Sequence, residues 1–325
     1  MSRSQNLREN WGFVAVHGGA GRHAVSLEKA HKQGLARACK AAASILQSGN
    51  ADLLEAVAAA LKVMEDDRLT NAGAGSNLNL EGQVECDASV MRGDGVFGAV
   101  GTVPGVRNPG LAACLLAQQT MQPLAAGRVR PMFLAGDGAR RWALQQGLEA
   151  AATQQEASQM HITAKSERQH AQWMRLIEPT PSQEAAKRPR PELWDTVGCV
   201  CCDAAGNLAS GVSSGGIALK VPGRVGEAAM FACGCWAQNP CSTRSGAACS
   251  TSGVGEVIMR GQLAKDCCQR AVAGGLELDA ACAASIKSTV DQVSPCTTLP
   301  ASRLPLSRGH QDPKALMLCM QHCPF

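Results

Sequence analysis

The hydrophobic and polar positions of the first 150 residues follow two periods that alternate along the chain. Residues 26–47 carry an apolar stripe with helical spacing and are followed by Gly49, which predicts an amphipathic helix. Asp52 precedes a second stripe of the same spacing and is expected to cap a second helix. Strands are predicted over residues 12–16, 84–90, 97–103 and 132–135, and further helices over residues 109–115 and 137–146. Strand clusters separated by helices indicate sheets that are covered by helices.

The second half of the chain carries a similar pattern as far as residue 286. Strands are predicted over residues 197–203, 208–212 and 231–237, and helices over residues 257–267 and 279–286. From residue 290 onward, proline, serine, cysteine, arginine and histidine are scattered without a period. Residues 290–325 are therefore predicted to be irregular.

Residues 151–195 have the composition of a linker. They are rich in glutamine, glutamate, alanine and serine, and then become basic and proline-containing, with one short amphipathic stretch at residues 173–177. The basic run at residues 187–191 resembles a minimal nuclear-import patch, although a solvated linker surface is the more frequent meaning of such a run.

Composition narrows the class of protein. The net charge of +4 on 325 residues gives no case for nucleic-acid binding, and with no tyrosine and 5 phenylalanines the chain offers few stacking platforms for bases. The first ten residues are polar, so we expect no secretory signal and interpret the 16 cysteines as reduced thiols that pack as small apolar groups. No apolar run reaches the roughly 20 residues that a membrane span needs.

The junction between Asp195 and Thr196 carries the candidate chemistry. Thr196 stands at the start of a predicted strand, directly after the linker. If the bond before it were cut, its hydroxyl could attack a carbonyl carbon while its own free α-amine took the proton. Such an amine has an ordinary pKa of about 7.7–8.0, so a useful fraction is neutral near pH 7 and no histidine is required.

Seven short motifs in order, spread over roughly residues 12–270, resemble the type-2 asparaginase family of N-terminal-nucleophile hydrolases. They are His17-Gly-Gly-Ala-Gly, Thr70-Asn-Ala-Gly-x-Gly-Ser, Glu85-x-Asp-Ala-Ser, Asp195-Thr-Val-Gly, Ser213-Ser-Gly-Gly, Pro222-Gly-Arg-Val-Gly and Thr251-Ser-Gly-x-Gly-Glu. Within the family, Asn77-Leu-Asn-Leu, Ser213-Ser-Gly-Gly and Gly234-Cys-Trp are most similar to the taspases, which are threonine aspartases.

The resemblance implies an α+β fold, a four-layer αββα sandwich, that cleaves itself between Asp195 and Thr196. The domain would then consist of an N-terminal part, residues 1–195, and a C-terminal part, residues 196–325, and two processed units would form a dimer. It implies no metal or organic cofactor. The substrates of taspase-like enzymes are polypeptides cut after aspartate, including nuclear regulatory proteins. We therefore expect a location in the nucleus and cytoplasm, with no direct contact to nucleic acid or membrane.

The resemblance also implies roles for individual residues. Thr196 is the nucleophile, and Ser214 hydrogen-bonds its hydroxyl or amine. Ser252, through its hydroxyl, and Gly253, through its backbone N–H, stabilise the oxyanion, and losing one such donor typically costs about 10²–10³ in rate. Gly19 and Asn71 match positions around the nucleophile.

Substrate binding is assigned to Arg224, Glu227 and Gly255. Arg224 is expected to hold a substrate carboxylate in a bidentate pair, a geometry that lysine does not reproduce. Where Glu227 stands, small-molecule asparaginases of the family usually have aspartate, which helps to bind the free α-amine of the substrate. Because a peptide substrate has no free amine there, glutamate mildly favours a protease.

Three functions stay open from the sequence. The leading one is a threonine endopeptidase that cleaves after aspartate, and the second is an asparaginase or isoaspartyl peptidase acting on small substrates. The third is an inactive, truncated homologue that pairs with an active copy, because the family's glycine-rich strand pair after the last helix is not recognisable in residues 290–325. On this basis the C-terminal strands are expected to be incomplete.

Overall fold

Nine strands form in the part of the chain that the structure, a computed structural model, describes. The described residues are 12–21, 24–48, 52–177, 195–273, 277–293 and 316–322, the last range as backbone only. The strands are β1 (Phe13–His17), β2 (Cys86–Arg92), β3 (Phe97–Val103), β4 (Phe133–Ala135), β5 (Val197–Cys202), β6 (Leu208–Ser214), β7 (Cys235–Gln238), β8 (Gly246–Ser252) and β9 (Leu316–His322).

These strands form two sheets. The larger has the order β1-β5-β6-β2-β3-β4, and its neighbours run antiparallel except β3 and β4, which are parallel. The smaller is antiparallel, with the order β7-β8-β9. The two sheets pack face to face through β6 against β7 and β8.

Helices cover the outer face of each sheet. They are α1 (Glu28–Gln47), α2 (Leu53–Glu65), α3 (Pro109–Thr120), α4 (Gly136–Gln145), α5 (Gln154–Gln159), α6 (Ala164–Ile177), α7 (Gly255–Gly261), α8 (Leu263–Val272) and α9 (Leu278–Val293). α1, α2 and α3 pack on the larger sheet, and α8 and α9 cover the smaller one. The prediction of an α+β fold with four layers is confirmed. No helix in the described ranges has the length and apolar character to cross a membrane.

Local sequence explains several helix boundaries. The carboxylate of Asp52 accepts a hydrogen bond from the backbone N–H of Leu54 at 3.1 Å, so this residue caps α2 as predicted. Pro109 takes the first position of α3, where its missing N–H costs no helical hydrogen bond. Gln262, with φ of 46°, ends α7 and begins α8, so the helix predicted over residues 257–267 is broken in two.

The interpretation of residues 151–195 as a linker is wrong for its first part. Residues 154–177 form α5 and α6, and Ala157 and Trp173 lie buried against the fold. The side chain of Thr153 caps α5 through a capping box with Glu156, a signal that composition alone does not register. Residues 178–194, including the basic run at 187–191, lie outside the described residues.

The irregular structure predicted for residues 290–325 is also corrected in two places. α9 continues to Val293, and β9 pairs along the whole of β8, from Ser252 opposite Leu316 to Gly246 opposite His322. The smaller sheet therefore gains a third strand from the segment in which incomplete strands were expected. β8 itself was not predicted, because its alanine, serine, cysteine and threonine residues are buried on both faces and show no alternation.

The buried carboxyl of Glu65 at the end of α2 predicts a dependence of stability on pH. Its Oε1 accepts hydrogen bonds from the Gly110 N–H at 2.8 Å and the Ser213 hydroxyl at 2.7 Å, and burial raises its pKa to about 7. The folded state therefore binds this proton more tightly than the unfolded state, whose carboxyl has its ordinary pKa. Stability from this group is complete at low pH, is lost as the pH rises from the ordinary carboxyl pKa to about 7, and changes little at higher pH.

Glu65→Gln is expected to remove that loss. Between pH 5 and pH 8 the wild type should lose about 2.5 kcal/mol more unfolding free energy than the variant, because one pKa unit corresponds to about 1.4 kcal/mol and part of the shift is already spent at pH 5. Urea denaturation at the two pH values measures the difference. Glu55→Gln, on the exposed side of the same helix, is the matched control. If Glu65→Gln and the wild type lost the same unfolding free energy between the two pH values, the prediction would be contradicted.

Candidate active site

Thr196 lies at the entrance of β5, next to the end of β6. The register that pairs Val197 with Ser213 brings Thr196 beside Ser214. The Thr196 side chain is buried in the uncleaved chain, with its Oγ1 3.1 Å from the Ser214 Oγ and 3.0 Å from the Glu227 Oε1. A single hydroxyl thus faces one neutral hydroxyl and one carboxyl group.

The turn after β6 holds Ser214 in place. The N–H of Gly216 donates to the Ser214 Oγ at 3.0 Å, and the Gly216 carbonyl accepts from the amide groups of Asn71 and Asn77, each at 2.9 Å. Asn71, which was predicted to surround the nucleophile, thus fixes the backbone that positions Ser214. Asn77 shares this task and had been noted only as a mark of family resemblance.

The Glu227 carboxyl is buried and raised in pKa. Loss of solvation shifts its pKa to about 7, against the opposing effects of its own backbone hydrogen bond, the nearby Arg224 and the hydrogen bond from Thr196. Near neutral pH this group therefore exchanges a proton readily, and it does so in contact with the candidate nucleophile.

Asp87 fixes the loop that carries Glu227. It lies at a β-bulge between β2 and β3, where its two oxygens accept from the N–H groups of Thr102 at 2.7 Å and Gly226 at 2.8 Å. Burial raises the pKa of Asp87, while the positive charge of Lys220 and both hydrogen bonds oppose the rise. Sequence reasoning gave Asp87 no role, although the motif Glu85-x-Asp-Ala-Ser contained it.

Arg224, Glu227 and Gly255, the three predicted substrate-binding residues, lie together. The Arg224 guanidinium contacts the Glu256 Oε1 through Nε at 2.9 Å and Nη2 at 2.8 Å. The guanidinium is thus already paired with a carboxylate of the same chain. A side chain at Gly255 would place its Cβ 2.6 Å from the Glu227 Oε2 and 2.7 Å from the Arg224 Nη2. A larger residue at this position would therefore displace the ends of the Glu227 and Arg224 side chains.

The predicted oxyanion donors lie at the C-terminal end of β8. Ser252 is buried, and its Oγ accepts from the backbone N–H of Ala20 at 3.1 Å. Gly253 comes directly after it, between β8 and α7. The pair is thus tied to the loop that follows β1.

The same loop encloses Asp195. Gly21 donates its N–H to the Asp195 Oδ1 at 3.0 Å, and Gly19 has φ of 107°. A Cβ on Gly19 would lie 2.5 Å from the Asp195 Cα. The loop therefore packs this closely against Asp195 only because residue 19 has no side chain.

Comparison with known proteins identifies the family. A family model described as asparaginase matches residues 10–296. The chain belongs to the type-2 asparaginase family. Among similar proteins, a plant-type L-asparaginase of Pyrobaculum calidifontis is 37% identical over 252 residues, 76% of this chain and 75% of that protein. An isoaspartyl peptidase/L-asparaginase of Bos taurus is 36% identical over 255 residues, 78% and 74% of the two chains. An isoaspartyl peptidase of Escherichia coli is 32% identical over 276 residues, 83% and 79% of the two chains.

Membership of the type-2 asparaginase family confirms the resemblance on which the site residues were chosen. These three relatives are named as L-asparaginases, isoaspartyl peptidases or both. The finer resemblance to taspases stays a prediction.

One histidine of this asparaginase-family chain lies close to the nucleophile without touching its hydroxyl. His17 ends β1, and its Nε2 is 2.9 Å from the Ser250 Oγ. Burial lowers its pKa to about 4, and a hydrogen bond with the Thr196 backbone opposes this effect. A neutral imidazole at pH 7 therefore supports the end of β1 through its contact with Ser250.

Proposed function

We propose that the protein is an N-terminal threonine hydrolase that acts on small aspartyl substrates such as L-asparagine and isoaspartyl peptides. The observation that carries the proposal is the buried Thr196 hydroxyl held between Ser214 and Glu227, in a chain of the type-2 asparaginase family. Cleavage before Thr196 would expose this hydroxyl and free the α-amine beside it. The names of the relatives support the same substrate class.

In the processed enzyme the hydroxyl of Thr196 attacks the amide carbonyl of the substrate, and its α-amine accepts the proton. Ser252 and Gly253 stabilise the negative charge on the carbonyl oxygen, and the amine of the substrate leaves with a proton. Water then hydrolyses the ester on Thr196. Arg224 is the group that would bind the substrate carboxylate, in exchange for part of its contact with Glu256.

A second candidate, an endopeptidase that cleaves after aspartate, is favoured by one specific contact. Asp195 is the residue whose carbonyl Thr196 would attack in its own chain, and its carboxylate accepts the Gly21 N–H at 3.0 Å. A peptide substrate with aspartate before its cut could use the same donor. A dimer of processed units, polypeptide partners and a nuclear location stay predictions.

A panel of matched substrates separates the two candidates. Purified protein would be given L-asparagine, an isoaspartyl dipeptide, and two longer peptides. The first of these peptides contains an ordinary aspartyl peptide bond, and the second has asparagine in place of that aspartate. We expect the first two to be hydrolysed, with the ordinary peptides turned over at least about tenfold more slowly in kcat/KM. The reverse order would favour the endopeptidase, and no turnover by cleaved protein would contradict both.

A further inference from the structure

The base that serves Thr196 in hydrolysis does not exist before the Asp195–Thr196 bond is cut. The proposed hydrolysis uses the free α-amine as its base. In the intact chain that nitrogen belongs to the Asp195–Thr196 peptide bond, where its lone pair is delocalised into the carbonyl. An amide nitrogen does not accept a proton near neutral pH, so self-cleavage needs another base.

Among the described residues, two side chains lie within hydrogen-bonding distance of the Thr196 hydroxyl in the uncleaved chain. Ser214 is neutral and its Oγ already accepts the Gly216 N–H, so it is a poor proton acceptor. Glu227 brings a carboxyl oxygen to 3.0 Å, within reach for direct proton transfer. Because the Thr196 hydroxyl has one hydrogen, a carboxylate competes for it more strongly than a serine hydroxyl.

We propose that Glu227 is the general base of self-cleavage, a task separate from any contact it makes with substrate. The inference rests on the proposed function, because it concerns how the same nucleophile is released. It also accounts for a carboxyl group at 4% exposure whose Oε1 faces the nucleophile instead of solvent.

The reaction is balanced in protons and bonds. Glu227 removes the hydroxyl proton of Thr196 as Oγ1 forms a bond to the carbonyl carbon of Asp195, which gives a tetrahedral intermediate. The C–N bond then breaks, and the nitrogen of Thr196, three bonds from its own oxygen, receives the proton from Glu227. The product is an ester between Asp195 and the Thr196 oxygen. Water attacks this ester, the C–O bond breaks, and a carboxylic acid and a free N-terminal threonine remain.

The electrostatic surroundings suit a base that works near neutral pH. Burial raises the pKa of Glu227 to about 7, and Asp87 on β2 adds to the rise, while Arg224 opposes it. Glu256 on α7 is paired with that arginine, and the Cys233 thiol, itself raised in pKa, is neutral near pH 7. The carboxylate therefore forms at neutral pH and is a stronger base than an ordinary glutamate.

The test measures the rate of self-cleavage against pH. Full-length chain made in a cell-free reaction would be shifted to buffers from pH 5.5 to 8.5 and the two fragments followed by gel and intact mass. For the wild type we expect the rate to rise about tenfold per pH unit below pH 7 and then to level off. Glu227→Gln should slow cleavage about 10²–10⁴-fold and abolish the levelling.

Three comparisons make the result decisive. Glu65→Gln removes another buried carboxyl with a raised pKa that contacts Ser213 instead of Thr196, and it should keep the wild-type profile. Glu227→Asp retains the carboxyl on a shorter stem and should keep the levelling at a lower rate, which decides the matter if Glu227→Gln does not fold in a thermal melt. Thr196→Ala defines the background.

Two results would overturn the inference. If Glu227→Gln cleaved itself at the wild-type rate and with the wild-type pH profile, Glu227 would not be the base. If the rate of wild-type self-cleavage were constant from pH 6 to 8, no base with a pKa near that of Glu227 would take part. If the folded wild type and Thr196→Ala both stay intact, the proposed function fails at its processing step, a different outcome from cleavage that ignores Glu227.

Discussion

Replacing Thr196 with alanine is expected to abolish self-cleavage and to lower kcat/KM by about 10⁴-fold or more. In the proposed mechanism the hydroxyl of Thr196 bonds to the carbonyl carbon, and the neighbouring Ser214 is not expected to take its place. Ser214 lies within the chain, so it has no free α-amine that could accept its hydroxyl proton. Its Oγ also accepts a hydrogen bond from the Gly216 N–H. Intact mass of the purified chain over time and turnover of the preferred substrate measure the two losses.

Thr196→Ser is the matched control. It keeps the hydroxyl and, after cleavage, the amine, so it should mature and hydrolyse substrate at a reduced but measurable rate. Both variants should retain cooperative thermal melting, because Thr196→Ala removes only two small groups. Fragments that begin at residue 196 in the alanine variant would show that the nucleophile lies elsewhere.

Asp87→Ala is expected to lower the unfolding free energy by about 3–5 kcal/mol. The change leaves the N–H groups of Thr102 and Gly226 without their acceptor and removes the carboxyl group near the buried Lys220. Thr102 has φ of 44°, a left-handed conformation that costs a non-glycine residue about 1–2 kcal/mol and that its hydrogen bond to Asp87 helps to hold. Urea denaturation at pH 7 measures the loss.

Asp94→Ala provides the comparison for that prediction. Asp94 belongs to the turn between β2 and β3, pairs with Arg92, and keeps 45% of its side chain exposed. Its removal should cost less than about 1 kcal/mol, the usual range for a surface ion pair. Equal losses in the two variants would contradict a special role for Asp87 in fixing the loop before Glu227.

Regular periodicity made the outer helices and most strands predictable, but β8, α5 and most of α6 were missed. The stripe of α1 and the Asp52 cap of α2 follow from neighbours a few residues apart, so sequence reasoning located both. β8 lies between β7 and β9 and is buried on both faces, which removes the alternation that reveals a strand. α5 has only 6 residues and α6 is polar over most of its length, so composition did not separate them from a linker, apart from the amphipathic stretch at residues 173–177.

The candidate site shows the same division. Order and spacing of the motifs identified the family and selected Thr196, Ser214, Arg224 and Glu227, because each motif is a local string of residues. The tasks of Asp87 and Glu256 were missed because their partners lie far away in the chain, as with Asp87 and Gly226.

By itself, the sequence determined the family and the layered fold, and it predicted the threonine directly before β5 as the nucleophile. Those properties follow from local sequence patterns, which can be recognised without knowing the tertiary contacts. Only the tertiary structure decided that the Glu227 carboxyl reaches the Thr196 hydroxyl, that Asp195 lies against the Gly19–Gly21 loop, and that Arg224 has Glu256 as its partner. Strand register and close packing bring these groups together across the sequence, and burial then sets the protonation of Glu227.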